Sequence, residues 1–386
     1  MYNFDKKIAR ADTASVKYDM REEIFGKADV LPMWVADMDF ETPECIRKAV
    51  LERAAHPIYG YSIMTDAYFD AFMEWVNRRH DWKIQKEWIV FSPGIVTAIN
   101  AAVFAFTEPG DSVIVQPPVY FPFFDAVKNN GRKQLANQLL YLDNTYKIDF
   151  DDLTKKAKEA RLILLSSPHN PVSRCWSEDE LKRIGKICLE NDVLILSDEI
   201  HADLTLPGYK HIPMASLSPE LAEVTITCMA PSKTFNVAGL FTSQIVIKNT
   251  SLREKFKKSM DTFHLIHGNI FGMIASEAGY RHGDAWLDAL RAYLLRNFNL
   301  VDQFFKSELP QLTLVKPEAT FLAWIDYSKT GISDKKMQKK MVEEASLGLN
   351  PGRIFGSGGS SFMRMNLGTP RSVVLEALER MKCIRF

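Results

Sequence analysis

Four stretches of this chain place chemistry-bearing side chains directly after short apolar runs. Pro231-Ser232-Lys233-Thr234-Phe235-Asn236 carries a lysine, an amine that becomes a base or nucleophile only when it loses its proton. The ordinary reading of a lone lysine is a solvated cation, and a Ser232-Lys233 hydrolytic dyad is a further option. Asp198-Glu199-Ile200-His201 opens with a carboxylate at the end of an apolar run, which is costly unless a cation pairs with it. A metal set of Asp198, Glu199 and His201 with His211 follows no familiar ligand spacing, so no metal is expected. Pro93-Gly94-Ile95-Val96 is a glycine turn entering a helix, whose free N–H groups and dipole suit a phosphate. Pro168-His169-Asn170-Pro171 reads on its own as a turn.

The elements that must position these groups are short Val/Ile-rich runs at 88–92, 112–116, 162–166, 193–197, 225–229 and 242–247. Their length and composition suit strands buried on both faces. Helical patterns lie between them. Ser177 with Glu180 makes a capping box ahead of Leu181, Ile184 and Cys188, and 97–106 reads as a second helix. Strand and helix in alternation predict an α/β fold with a mostly parallel central sheet flanked by helices. In such sheets ligands bind beyond the carboxyl ends of the strands, where all four stretches fall.

The last hundred residues differ, with long helical patterns from about 265 to 305. Strand-like pieces follow at 312–315, 320–325 and 362–366. Thr369-Pro370 is expected as N-cap and first residue of a final helix bearing Val374, Leu378 and Met381. The expected organisation is an N-terminal segment, 1–45, packing on a small α+β domain, 286–386, with a large domain, 46–285, between them.

Lys+Arg and Asp+Glu are both 48, so no basic excess points to nucleic acid. No apolar run approaches the ~18 residues that span a bilayer. Five cysteines without a Cys-x-x-Cys pair argue for reduced thiols, and the cytoplasm is the expected compartment. Gly356-Ser357-Gly358-Gly359-Ser360-Ser361 lacks the last glycine of a dinucleotide fingerprint, which argues against a dehydrogenase.

Read together, these residues resemble the fold-type I pyridoxal 5′-phosphate (PLP) enzymes, the aspartate aminotransferase superfamily. Trp34-Val35-Ala36-Asp37-Met38-Asp39-Phe40, Ser197-Asp198-Glu199-Ile200-His201-Ala202-Asp203-Leu204 and Gly279-Tyr280-Arg281-His282-Gly283 look like its cystathionine β-lyase branch, called MalY/PatB, which includes cystalysin. The resemblance implies a PLP-dependent transferase-like fold and a role for each residue. Lys233 would carry the cofactor covalently and act as the catalytic base, and Asp198 would pair with the pyridine nitrogen. Asn170 would bond the phenolic oxygen and Tyr120 would stack on the ring and assist catalysis, with His201 also beside the cofactor. Gly94, Ile95, Val96 and Ser232 would hold the phosphate, joined by Tyr61 from the neighbouring subunit of a homodimer. Arg364, with Ala36 and Asn170, would bind the substrate. Two positions depart from the superfamily. Ser173-Arg174 stands where a glycine often follows the Asn-Pro pair, and His201 replaces a common tyrosine, as in the lyase branch.

The activity implied is β-elimination from a sulfur-containing amino acid, giving a thiol, pyruvate and ammonia. A PLP-dependent aminotransferase is the alternative. A non-catalytic regulatory protein on the same scaffold is disfavoured, because both Lys233 and Asp198 are present.

Overall fold

The computed structural model describes residues 2–385. Its main sheet is formed by β1 (Ile89–Ser92), β2 (Ser112–Val115), β3 (Lys133–Ala136), β4 (Ala160–Ser166), β5 (Leu194–Asp198), β6 (Thr225–Met229) and β7 (Ser243–Val246). The spatial order is β1-β7-β6-β5-β4-β2-β3. Only β7 runs antiparallel to its neighbours; the remaining pairings are parallel. The α/β architecture expected from the alternation is therefore the observed one.

The central strands are buried along their length, as their Val/Ile/Leu content dictates. Helices close both faces. Glu178–Glu190 begins at the complete Ser177–Glu180 capping box and turns Leu181, Ile184 and Cys188 inward. Ile95–Phe106 is apolar on nearly every side and contributes Ala98, Ile99, Ala102 and Val103 to the core beneath the sheet. The sheet register aligns Ser166 with Asp198 and Asp198 with Cys228, so β4, β5 and β6 end together. Asn170 and Lys233 follow directly beyond that shared edge.

A second, antiparallel sheet holds β8 (Thr313–Leu314), β9 (Leu322–Asp326), β10 (Asn350–Pro351) and β11 (Phe362–Asn366), in the order β8-β9-β11-β10. Arg364 on β11 sits between Trp324 and Asn350 of its two neighbours. The long helical pattern near 265–305 resolves into Ile270–His282 and Asp284–Glu308, separated at Gly283, where any Cβ would strike Phe235. The final helix is Arg371–Met381. Pro370 precedes it with an extended ψ of 143°, which moves the expected start by one residue. Leu31–Pro32 pairs in parallel with Leu347–Gly348, tying the N-terminal segment to the second half of the chain.

Candidate active site

Lys233 stands on a single helical turn, Pro231–Thr234, that begins right after β6. Thr234 pins this turn by donating to Asp203 Oδ2 at 2.7 Å. The Lys233 Nζ donates to the Ala36 carbonyl at 2.6 Å. Burial lowers its pKa to about 8, although Asp37 and Asp198 favour the charged form. A lysine in this state yields its proton far more easily than one in water.

Asp198 ends β5 fully buried, and its Oδ1 accepts one weak bond, from the Ile200 N–H at 3.2 Å. Burial pushes the carboxyl up to about 7. Such a group calls for a cationic N–H donor beside it. Facing it, His201 is held down to about 3 by burial and then by Lys233 and Arg364, and its Nδ1 has no partner.

Arg364 donates to Asn170 Oδ1 at 3.0 Å, to Asn350 Oδ1 at 2.7 Å and to the Trp34 carbonyl at 2.9 Å. Its guanidinium lies over the Phe355 ring, 4.8 Å from the centroid. Burial brings its pKa down to about 10, and its Nε is unpartnered, so a bound carboxylate would relieve a buried cation.

A strap of backbone, residues 34–38, joins these groups. Its carbonyls accept from Arg364 at Trp34, from Asn366 at Val35 and Asp37, and from Lys233 at Ala36. Asn236, three residues past the lysine, holds Met38 at both N–H and carbonyl. The strap is fixed from behind by Arg10, which forks onto Asp37 at 2.6 Å and Asp39 at 2.7 Å. Lys17, only 1% exposed, also pairs with Asp39 at 2.7 Å.

Ten of the residues singled out in the sequence line one cavity of about 330 Å³: Ala36, Gly94, Ile95, Val96, Tyr120, Asn170, Asp198, His201, Ser232 and Lys233. That volume suits a small organic molecule. Arg364 joins through Asn170. Tyr61 does not line it; its side chain is fully exposed on a segment shared with exposed Ile58, Tyr59 and Ile63. At one end Gly94 and the amides that open Ile95–Phe106 form the cavity wall. Gly94 has extended φ of −178° and a Cβ there would meet no protein atom within 4 Å, so the glycine answers to the cavity and not to the backbone. An aromatic cofactor with a basic ring nitrogen at Asp198, an aldehyde at Lys233 and a phosphate at Gly94–Val96 fits this donor set. No pattern in the sequence marks Asn350 or the strap's carbonyls, because main-chain acceptors and a lone Asn carry no motif. Glu199 and His211 pair with each other at 2.7 Å, and among the described residues no cluster of three metal-ligating side chains forms.

Residues 28–381 match the family described as aminotransferase class I and II. The chain belongs to this family. Within it, the chain is 47% identical to cystathionine β-lyase PatB of Bacillus subtilis, covering 98% of this chain and 99% of that one. Cystalysin of Treponema denticola, whose crystal structure contains PLP, superposes with a TM-score of 0.96 at 40% identity, covering 99% of this chain and 98% of cystalysin. The PLP-bound C–S lyase of Staphylococcus hominis superposes with a TM-score of 0.92 at 36% identity, covering 99% and 97%.

Proposed function

We propose that this member of the family is a PLP-dependent carbon–sulfur lyase that cleaves a cystathionine-type amino acid to pyruvate, ammonia and a thiol. The observation that carries the reading is the 47% identity, over nearly the whole of both chains, to a protein named cystathionine β-lyase. The site geometry supports it.

Lys233 would hold the cofactor covalently and Asp198 would keep its ring nitrogen protonated. Asn170 would bond the phenolic oxygen, Tyr120 would stack on the ring and assist catalysis, and His201 would flank the cofactor. The amides of Gly94, Ile95 and Val96 would bind the phosphate with Ser232. When bound, PLP supplies an electron sink for charge developing at the substrate α-carbon. Arg364 grips the α-carboxylate with its planar fork, and Ala36 and Asn170 bound the same space. That grip sets the Cα–H bond toward Lys233; once the substrate amine has taken its place on the cofactor, the freed lysine, with its lowered pKa, would take the α-proton near neutral pH. The Ala36 carbonyl aims the amine while it does so.

The partner is a second copy of the chain, with Tyr61 reaching the neighbour's phosphate. Its full exposure beside Ile58, Tyr59 and Ile63 supports this, since so apolar a stretch gains by being covered. The cytoplasm is the compartment we favour, because all five cysteines are free thiols. Among the described residues no helix is long and apolar enough to cross a membrane.

The test is pyruvate release from cystathionine by purified holoenzyme, with and without a keto-acid acceptor. Release without acceptor is expected. Amino transfer that requires the acceptor, with negligible pyruvate otherwise, would make the protein an aminotransferase instead.

A further inference from the structure

Behind the cofactor cavity lies a second one, of about 280 Å³, with a different character. Arg78 and Arg79 reach it from the end of the helix Asp66–His80, Lys210 from a loop, and Arg291 from the helix Asp284–Glu308. His80 and His211 also line it, their rings edge to face at 5.4 Å. The one acidic lining residue is Asp203. Its oxygens are already taken by Trp75 Nε1, His80 Nε2 and the Thr234 hydroxyl. Asp81, Asp284 and Asp288, which pair with the cations, do not line the space.

The cations are held in place before any ligand arrives. Arg291 donates to the Thr205 carbonyl at 2.6 Å and hydroxyl at 3.1 Å. Arg79 is fixed by Asp284 and Asp288 and lies over the Trp75 ring. Burial, and then the nearby Arg79, depresses the pKa of Arg291. Asp288, 2.8 Å from Arg79 and 3.5 Å from Arg291, only partly offsets that effect on Arg291, so an anion inside the space gains from a guanidinium that its neighbours leave under-compensated.

We propose that this cavity is a binding site for a small oxyanion, a carboxylate or phosphate group, separate from the cofactor and substrate sites. It is open to solvent and is walled by preorganised donors, as oxyanion recognition requires. Through His80 and Asp203 it touches Thr234, the neighbour of Lys233, and through His211 and Glu199 it touches the residue after Asp198. The site exists whichever reaction the enzyme runs.

The experiment uses cofactor-saturated holoenzyme, so that the cofactor's own phosphate site is filled. Inorganic phosphate and citrate are titrated separately by calorimetry, against sodium chloride at equal ionic strength. Saturable binding of either probe beyond the chloride control is expected. Phosphate alone would mark the site as one for phosphoryl groups, citrate alone as one for carboxylates, and both as a general oxyanion site. Arg291→Met should weaken binding by about 10-fold or more, the usual cost of one charge-assisted contact. Because Arg291 also ties down Thr205, Lys210→Ala serves as a second variant; its side chain is 64% exposed, so its truncation is expected to leave the fold intact. It should weaken binding at least ~3-fold while leaving lyase activity without added anion unchanged. No saturable binding overturns the proposal. So does binding that both variants leave unaltered, which would place the anion outside this cavity.

Discussion

Asp198 pays in the cofactor-free chain for what it does in the loaded one. Its carboxyl is raised to about 7, above the ordinary 3.8, so the folded form favours the protonated acid. For a carboxyl with a raised folded pKa, the stability it contributes is present at low pH and is lost as pH rises from about 4 to about 7. Asp198→Asn is therefore expected to stabilise the cofactor-free protein relative to the parent, increasingly from pH 5 to pH 8, as read from urea midpoints. In the holoenzyme the same change should cut activity by at least ~100-fold, in line with the ~3–5 kcal/mol cost of breaking a buried charge pair. Equal midpoints at both pH values would show that the carboxyl is already neutralised by other means. Lys233 gives the second prediction at this scale. Asp37 favours its ammonium form, so Asp37→Asn should lower the lysine pKa below about 8. The acid limb of the kcat–pH profile should then move to lower pH, and an unmoved limb would detach Asp37 from the lysine. Arg364→Ala should raise KM by at least ~100-fold, since two charge-assisted bonds of ~1.5–3 kcal/mol each are lost.

Among the elements, the helix Ile95–Phe106 carries the sharpest expectation. Gly94 adopts extended backbone open to any residue and meets no atom that a side chain would strike. Gly94→Val should leave the cofactor-free protein within ~0.5 kcal/mol of the parent while weakening cofactor retention at least ~10-fold. The first part is checked by denaturation and the second by dialysis against absorbance. The six Val/Ile-rich strands of the main sheet were legible because strands covered on both faces have little room for polar residues. Edge strand β3, Lys-Gln-Leu-Ala, has a largely exposed face and no apolar pattern, so the sequence does not announce it. Nor is β10 visible, two residues long and ending in proline. The helical patterns between about 265 and 305 carry no sequence mark of where one helix ends and the next begins, and packing against Phe235 accounts for the break at Gly283. Site residues tied to motifs were found together, whereas Asn350 was not, because its role arises from the register that sets it beside Arg364.

For the whole molecule, the exposed row Ile58, Tyr59, Tyr61 and Ile63 makes the oligomeric state a testable property of the active site. Ile63→Asp should shift the proposed dimer to monomer in sedimentation and release cofactor in the same range of protein concentration. A monomeric variant that keeps its cofactor would place the phosphate wholly within one chain.

The strap at residues 34–38 bears on how the enzyme comes into being on the ribosome. Gly94, Asn170, Asp198 and Lys233 all lie at or before residue 233, and β7, which ties β1 and Gly94 to the sheet, is complete by residue 246. The strap emerges earlier still, yet two of the side chains that its carbonyls hold, Arg364 and Asn366, arrive with β11. A nascent chain thus has its proposed cofactor cradle more than a hundred residues before the arginine proposed to grip substrate. Reactive chemistry waits on the last strand, and an interrupted chain is left without the arginine that would set an amino acid in position to react.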